Sequence, residues 1–109
     1  MPIFIKTEQF TNETYKLSIQ HRKQFIEKHK NWVESLSEKG KKLSSGYLVN
    51  QNHDPGGGGV LIFEADSYDE AKRIILTDPM IENNLVSWNL HEWIPIAGKI
   101  LNLTNEEKF

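Results

Sequence analysis

The chain has 109 residues, of which 38% are hydrophobic and 26% charged, with a formal net charge of −2 at pH 7 and no cysteine. This composition is that of a globular protein with one modest core, and the weak charge gives no electrostatic reason to expect nucleic acid or a membrane surface as a partner. The absence of cysteine excludes disulfides, thiol nucleophiles and thiolate metal sites. No stretch approaches the roughly 20 apolar residues that span a bilayer, and the first ten residues do not resemble a signal peptide, so we expect a cytoplasmic protein.

The first half of the chain predicts a strand, a long helix and a second strand. "PIFIKTE" begins with alternating Ile3 and Ile5 and predicts a short strand. The polarity pattern from Leu17 to Lys39 predicts an amphipathic helix, and Gly40 supplies a residue that readily takes a positive φ at its end. "KLSSGYLVNQ" predicts a second strand, and "NHDPGGGG" predicts a loop because Asp-Pro and four glycines interrupt the pattern.

The second half predicts a strand, a capped helix and a last strand. "VLIFEA" predicts the third strand. Ser67 and Glu70 match a capping box at the start of a second helix, which should end near Thr77 because Pro79 disfavours helical geometry at Asp78. In "VSWNLHEWIPI", apolar residues occupy alternate positions, and this alternation predicts the last strand. The alternating apolar residues are Val86, Trp88, Leu90 and Ile94, and Trp93 stands among the polar ones.

The order β-α-β-β-α-β predicts a ferredoxin-like α+β fold, in which two helices cover one face of a four-stranded antiparallel sheet. We expect one such domain over residues 1–98 and a polar tail over residues 99–109. Val60 to Phe63 are consecutively apolar, so both faces of the third strand require burial, and the helices can cover only one. A second copy of the sheet is the simplest cover for the other face, which predicts a homodimer formed by sheet-to-sheet packing.

One histidine interrupts the apolar face of the long helix. His29 lies between Phe25 and Leu36 in "FIEKHKNWVESL", on the side that should pack against the core. A histidine there is more often a core residue with one hydrogen bond, but beside a carboxylate it could serve as a general base. Asp78 is the candidate carboxylate, although an aspartate before Pro79 is also explained as a helix N-cap.

Three other binding classes find little support. The glycine run leads into a strand rather than a helix and lacks a Lys-Ser/Thr ending, so it does not predict a phosphate loop. His21, His53 and His91 lie in different elements without metal-ligand spacing, so we predict neither a metal nor a cofactor. The strand "VLIFEA" lacks the basic, aromatic motif of RNA-recognition domains, so nucleic acid is not an expected partner.

Four segments together resemble the YCII-related (YciI-like) family of dimeric α+β barrel proteins. They are the helical His29, "EKGKKLSSGYL", "FEADSYDEAKRIILTDPM" and "LVSWNLHEW", and they extend over residues 25–93. The resemblance implies a dimeric α+β barrel with one pocket per protomer, a pair formed by His29 and Asp78, and Ser45 in the pocket lining. Most members of the family have no assigned reaction, and one branch looks like dehydrochlorinases of chlorinated hydroxyquinols.

Two positions depart from the family pattern. Tyr47 stands where the family usually has proline after the glycine, which puts the shape of the pocket rim in doubt. Ile26 stands where the family often has arginine, three residues before the histidine. The missing cation weakens any case for an anionic substrate at that point.

The first functional hypothesis is a cofactor-independent enzyme that acts on a small cyclic or aromatic molecule. His29 would be the general acid or base in a proton abstraction, isomerisation or elimination, and Asp78 would orient it and stabilise the imidazolium. Ser45, Trp88 and Trp93 are candidate substrate-binding residues. The alternatives are a non-catalytic dimeric module that binds a small ligand or a partner protein, and a histidine that only hydrogen-bonds in the core.

Overall fold

The computed structural model describes residues 1–100, and residues 101–109 of the predicted polar tail lie outside this range. The described part contains four strands and four helices. The strands are β1 (Ile3–Phe10), β2 (Leu43–Val49), β3 (Pro55–Glu64) and β4 (Val86–Trp93). The helices are α1 (Asn12–Lys16), α2 (Ile19–Glu38), α3 (Tyr68–Ile75) and α4 (Pro79–Glu82).

The four strands form one sheet in the order β2-β3-β1-β4, and each neighbouring pair is antiparallel. With α2 between β1 and β2 and α3 between β3 and β4, this is the ferredoxin-like arrangement. The predicted α+β fold class is therefore confirmed. Lys6 on the central strand β1 lies opposite Leu61 on one side and Leu90 on the other, so all three side chains share one face of the sheet.

The core lies between the helices and this face of the sheet. Phe4, Leu61 and Leu90 are buried there, and Ala71 and Ile75 of α3 are completely buried against the same cluster. Burial of each large apolar side chain contributes roughly 1.5–3 kcal/mol. Because α2 has no fully buried residue, the side of this helix that faces the sheet stays partly open to solvent.

The opposite face of the sheet is apolar near its centre. The strand alternation places Ile5, Val60 and Ile62 on this face, and all three are only half-buried. Leu48 of β2 lies on the same side and is 55% exposed. The consecutive apolar residues of β3 therefore divide between a covered and an uncovered face, as the sequence predicted.

Three local features differ from the prediction. The unpredicted helix α1 precedes α2, which begins at Ile19 after a cap in which the Ser18 hydroxyl accepts from the amide of His21. The glycines predicted as a loop belong instead to β3, because the reversal of chain direction is completed earlier, within residues 50–54. There Asn50 Oδ1 accepts from two backbone amides and closes the turn. At the other end, β4 stops at Trp93, and Ile94 is exposed rather than part of the strand.

Candidate active site

His29 and Asp78, 49 positions apart in the sequence, meet in the structure. His29 projects from the middle of α2, and Asp78 is the N-cap of α4. The Nδ1 atom of His29 lies 3.0 Å from Oδ1 and 2.9 Å from Oδ2 of the carboxylate. Asp78 is completely buried, whereas the His29 side chain keeps 15% of its surface exposed. The pair thus joins a buried carboxylate to an imidazole that solvent can reach.

Asp78 caps a helix and contacts the histidine at the same time. Its Oδ1 caps α4 by accepting from the amide of Met80 at 3.0 Å, and its Oδ2 lies 3.3 Å from the Nζ of Lys6. Burial raises the pKa of Asp78, but the hydrogen bond and charge of His29, the charge of Lys6 and the Met80 amide together hold it below its usual range. The carboxylate is therefore ionised at neutral pH.

The ionised carboxylate determines which nitrogen of the ring is free to react. Because Asp78 only accepts hydrogen bonds, Nδ1 of His29 must carry the proton in the neutral ring, and Nε2 presents its lone pair. Nε2 lies 2.9 Å from Oγ of Ser45, whose hydroxyl donates to it. Ser45 is exposed on β2, the edge strand of the sheet. The reactive nitrogen therefore faces the open side of the site.

An aromatic side chain forms the wall beside the imidazole. The ring centroids of His29 and Trp32 are 5.6 Å apart, and the planes are tilted by 34°. Nε1 of Trp32 donates to Oγ1 of Thr77 at 2.8 Å, and that hydroxyl donates to the carbonyl of Ile74 at 2.7 Å. These bonds hold α2 against the end of α3, directly before Asp78, and restrain the orientation of the ring pair.

Two charged residues that the sequence analysis did not single out lie beneath the pair. Lys6 is completely buried and forms ion pairs with Asp78 and with Glu8, whose side chain is 13% exposed. Phe4, Lys6 and Glu8 share the helix-covered face of β1 by strand alternation. In the sequence these residues are only two opposite charges two positions apart in a strand, which does not distinguish a buried ion pair from an exposed one.

Acidic side chains outnumber lysines in this cluster. Within residues 1–100, Asp78 and Glu8 both contact Lys6, and Asp78 also contacts His29. An imidazolium at His29 would therefore lie directly against the Asp78 carboxylate, the opposite charge that stabilises a protonated ring.

The remaining predicted residues lie at different distances from this cluster. Trp88 is opposite Glu8 on the helix-covered face and packs against the core. Trp93 pairs with Ile3 and points to the opposite face of the sheet, so the structure does not bring it to His29.

A surface depression of about 560 Å³ follows the outer side of α2 and contains none of the predicted site residues. It is lined by Ile19, Gln20, Lys23, Gln24 and Glu27.

Two kinds of site can be assessed from the described residues. Within residues 1–100, no group of three or more histidine, aspartate or glutamate side chains is placed to hold a metal ion. In the same range, no helix is long and apolar enough to cross a membrane.

The fold and the cluster define a small ferredoxin-like α+β domain with an imidazole–carboxylate pair under its long helix. The sequence model of the YCII-related domain matches residues 5–94, and the chain belongs to this family. No protein with a curated description matches the sequence. Among solved structures, the chain is similar to 5-chloro-2-hydroxyhydroquinone dehydrochlorinase from Burkholderia phenoliruptrix AC1100, in complex with 2,5-dihydroxybenzoquinone. The TM-score is 0.63 at 23% identity, over 84% of this chain and 93% of that chain, which is a likeness of fold.

Proposed function

We propose that this protein is a cofactor-independent enzyme that uses His29 and Asp78 for acid/base chemistry on a small cyclic or aromatic organic molecule. The most direct support is the order in which hydrogen bonds connect the carboxylate, the imidazole and the exposed hydroxyl. A buried carboxylate holds one ring nitrogen, and the other is directed to the accessible side of the site. This is the geometry of an oriented general base. Membership of the YCII-related family and the fold shared with a dehydrochlorinase also support the proposal.

In the proposed reaction, Nε2 of His29 accepts a proton from a hydroxyl or an acidic C–H group of the substrate. Asp78 stabilises the imidazolium that forms, because its carboxylate lies 2.9 Å from Nδ1. In an elimination, the electrons left on the substrate expel a leaving group such as chloride as an anion. The imidazolium then returns its proton to water, so the enzyme is regenerated without an external oxidant or reductant.

The surroundings of the imidazole favour a flat, uncharged substrate. Trp32 provides an aromatic wall beside His29, and Phe25 lies one helical turn before it on the same side of α2. The excess negative charge beneath the ring disfavours binding of an anion before proton transfer. A hydroxylated ring that enters as the neutral species and loses its proton to Nε2 fits both conditions.

We also propose that two copies pair through the uncovered face of the sheet. Ile5, Val60 and Ile62 provide the apolar centre of this face, and Leu48 extends it toward the edge. Ile62→Lys would place a charge in the centre of the interface. We expect light scattering to report a dimer for the wild type and a shift toward monomer for this variant, and a wild-type monomer would contradict the proposal.

The activity is tested with the molecules named for the structural neighbour. The probes are chloride release from 5-chloro-2-hydroxyhydroquinone and other chlorinated hydroxyquinols, and binding of 2,5-dihydroxybenzoquinone. We expect His29→Gln to lower turnover by roughly 10²–10⁴-fold, the usual contribution of a positioned acid or base. His21→Gln is the matched control, because His21 is exposed on the same helix and its side chain makes none of the contacts described above.

The outcomes separate an enzyme from a binding module. Turnover in the wild type that falls in His29→Gln and Asp78→Asn but not in His21→Gln supports the acid/base pair. Equal turnover in His29→Gln refutes it. Binding of the quinone by the wild type without turnover of any compound in the set, unchanged in His29→Gln, favours the non-catalytic module.

A further inference from the structure

The groups around His29 form a longer chain than an acid/base pair requires. Oγ of Ser45 lies 2.9 Å from Nε2 of His29, and Nδ1 of the same ring lies 2.9 Å from Oδ2 of Asp78. A hydroxyl, an imidazole and a carboxylate are thus connected in series, with each heavy-atom distance within hydrogen-bond reach. This is the spatial signature of a nucleophile that is activated by a base and oriented by a third group.

We propose that Ser45 is an activated nucleophile, and that the protein accepts acyl groups from small activated esters at this hydroxyl and hydrolyses them. The proposal rests on the proposed function, because His29 must act as a base in both. It adds a covalent step, which proton abstraction or elimination does not require.

The position of Ser45 allows an ester to approach. The residue is exposed, and it lies on β2, which pairs with β3 on one side and has no strand partner on the other side among residues 1–100. A serine whose only role is to stabilise a core is normally covered, whereas this hydroxyl combines exposure with a hydrogen bond to a half-buried base. The carbonyl carbon of a ligand can therefore reach Oγ from the open edge.

The strand geometry also supplies a donor for the developing oxyanion. The amide of Glu64 donates to the carbonyl of Lys42, which marks these two residues as a hydrogen-bonded pair of the antiparallel ladder. Hydrogen-bonded and non-bonded pairs alternate, so Ser45, opposite Leu61, belongs to a non-bonded pair. Its backbone N–H is directed to the open edge, beside its own hydroxyl. In serine hydrolases the amide of the nucleophile itself is one of the oxyanion donors.

The reaction balances with water as the only other reactant. Oγ of Ser45 attacks the carbonyl carbon of the ester, and its proton passes to Nε2 of His29. The bond from carbon to the leaving oxygen then breaks, the imidazolium protonates the leaving alcohol, and the acyl group stays on Ser45. A water molecule repeats the sequence, releases the carboxylic acid and restores the hydroxyl, while Asp78 remains ionised throughout.

The test uses covalent labelling of the whole chain. The protein is incubated with p-nitrophenyl acetate and, separately, with a fluorophosphonate, and adducts are measured by intact mass and peptide mapping. We expect one adduct, on Ser45, that is absent in Ser45→Ala and formed roughly 10²–10⁴-fold more slowly in His29→Gln. Ser44→Ala is the matched control, because Ser44 is the preceding residue of the same strand and points to the opposite face.

The results are decisive in either direction. The proposal is overturned if the wild type forms no adduct or if the adduct is on another residue. Release of p-nitrophenol at the wild-type rate in Ser45→Ala also overturns it, and would point to the imidazole itself as the acyl acceptor. The chloride-release assay is independent of these measurements. A wild-type protein that releases chloride but forms no adduct refutes this inference and leaves the acid/base proposal intact. A protein that forms the Ser45 adduct but releases no chloride retains the nucleophile alone. Near-ultraviolet circular dichroism of each variant shows whether it is folded.

Discussion

The buried ammonium of Lys6 provides the sharpest test of the electrostatics of the site. Lys6→Met keeps much of the volume of the side chain and removes the ammonium group, with its charge and its hydrogen bonds. The substitution leaves Asp78 with His29 and Met80 as its hydrogen-bond donors and leaves Glu8 without the cation that it contacts. We therefore expect Lys6→Met to be strongly destabilising, although it makes this position more hydrophobic.

The magnitude follows from distance and burial. At 3.3 Å, Lys6 and Asp78 attract each other by about 5 kcal/mol if the effective dielectric constant is about 20. Desolvation offsets part of this attraction in the native protein, but removal of one partner leaves the other charge buried without compensation. Measured costs of breaking buried pairs in this way are about 3–5 kcal/mol, and we expect a loss in this range.

The chain contains a control at the same distance. Lys16 and Glu13 on α1 also lie 3.3 Å apart, but their side chains are 71% and 66% exposed. Lys16→Met should therefore cost less than about 1 kcal/mol. Urea unfolding at pH 7, followed by circular dichroism, gives both free energies. Similar losses for the two variants, or a Lys6→Met protein as stable as the wild type, would refute the assignment of a strong buried ion pair.

Three further predictions concern single contacts. The pKa of Asp78 is held below that of a free aspartate in the folded protein, so the stability that its charge contributes is fully present above about pH 4 and is lost as the pH falls through the lowered pKa. Urea unfolding between pH 7 and pH 3 should therefore show a loss of stability that is smaller in Asp78→Asn. Trp32→Phe removes the indole donor to a threonine hydroxyl and should cost about 1 kcal/mol in thermal unfolding, and an unchanged midpoint would show that the bond does not contribute. Gly57→Ala should destabilise the protein by more than about 1 kcal/mol, because the φ of Gly57 is 82° and the new Cβ would lie 2.5 Å from a tyrosine hydroxyl. The control Gly56→Ala should be close to neutral, because a Cβ at Gly56 meets nothing within 4 Å.

The histidine and aspartate could be predicted because each interrupts a local pattern. His29 occupies a position on the covered side of a helix where an apolar residue is expected, and Asp78 precedes a proline that ends a helix. The residues alone suggested Asp78 as the candidate carboxylate for His29, and the family resemblance implied that the two form a pair. Their contact depends on how α2 crosses the sheet toward α4, which local periodicity does not determine.

Lys6 and Glu8 were missed for a different physical reason. Strand alternation divides β1 into two faces but does not say which face the helices cover. Ile3 and Ile5 offered the apparent apolar face, whereas Phe4 and the two charged residues lie beneath the helices. Burial of a lysine beside two carboxylates runs against the general preference for apolar cores, so it can be found only when the partners are placed in three dimensions.

The glycine run and the last tryptophan show two other limits of sequence reasoning. Glycine has low intrinsic strand propensity, so Gly56 to Gly59 predicted a loop, but all four belong to β3, where Gly58 and Gly59 pair with β1. For Trp93, the strand was predicted correctly, and alternation places this residue on the uncovered face. Its proposed part in the ligand site stays a prediction, because alternation shows that Trp88 and Trp93 lie on opposite faces but not which face carries the site.

The double role of Asp78 gives the site a built-in spectroscopic reporter. One carboxylate oxygen holds both the imidazole and the first turn of α4, through the amide of Met80. Any event that withdraws charge from this oxygen, such as protonation or a rotation of the ring, weakens the same hydrogen bond. The exchange rate and chemical shift of the Met80 amide proton should therefore follow the state of the site. A titration of that single resonance with a candidate ligand would reveal occupancy before any reaction is known.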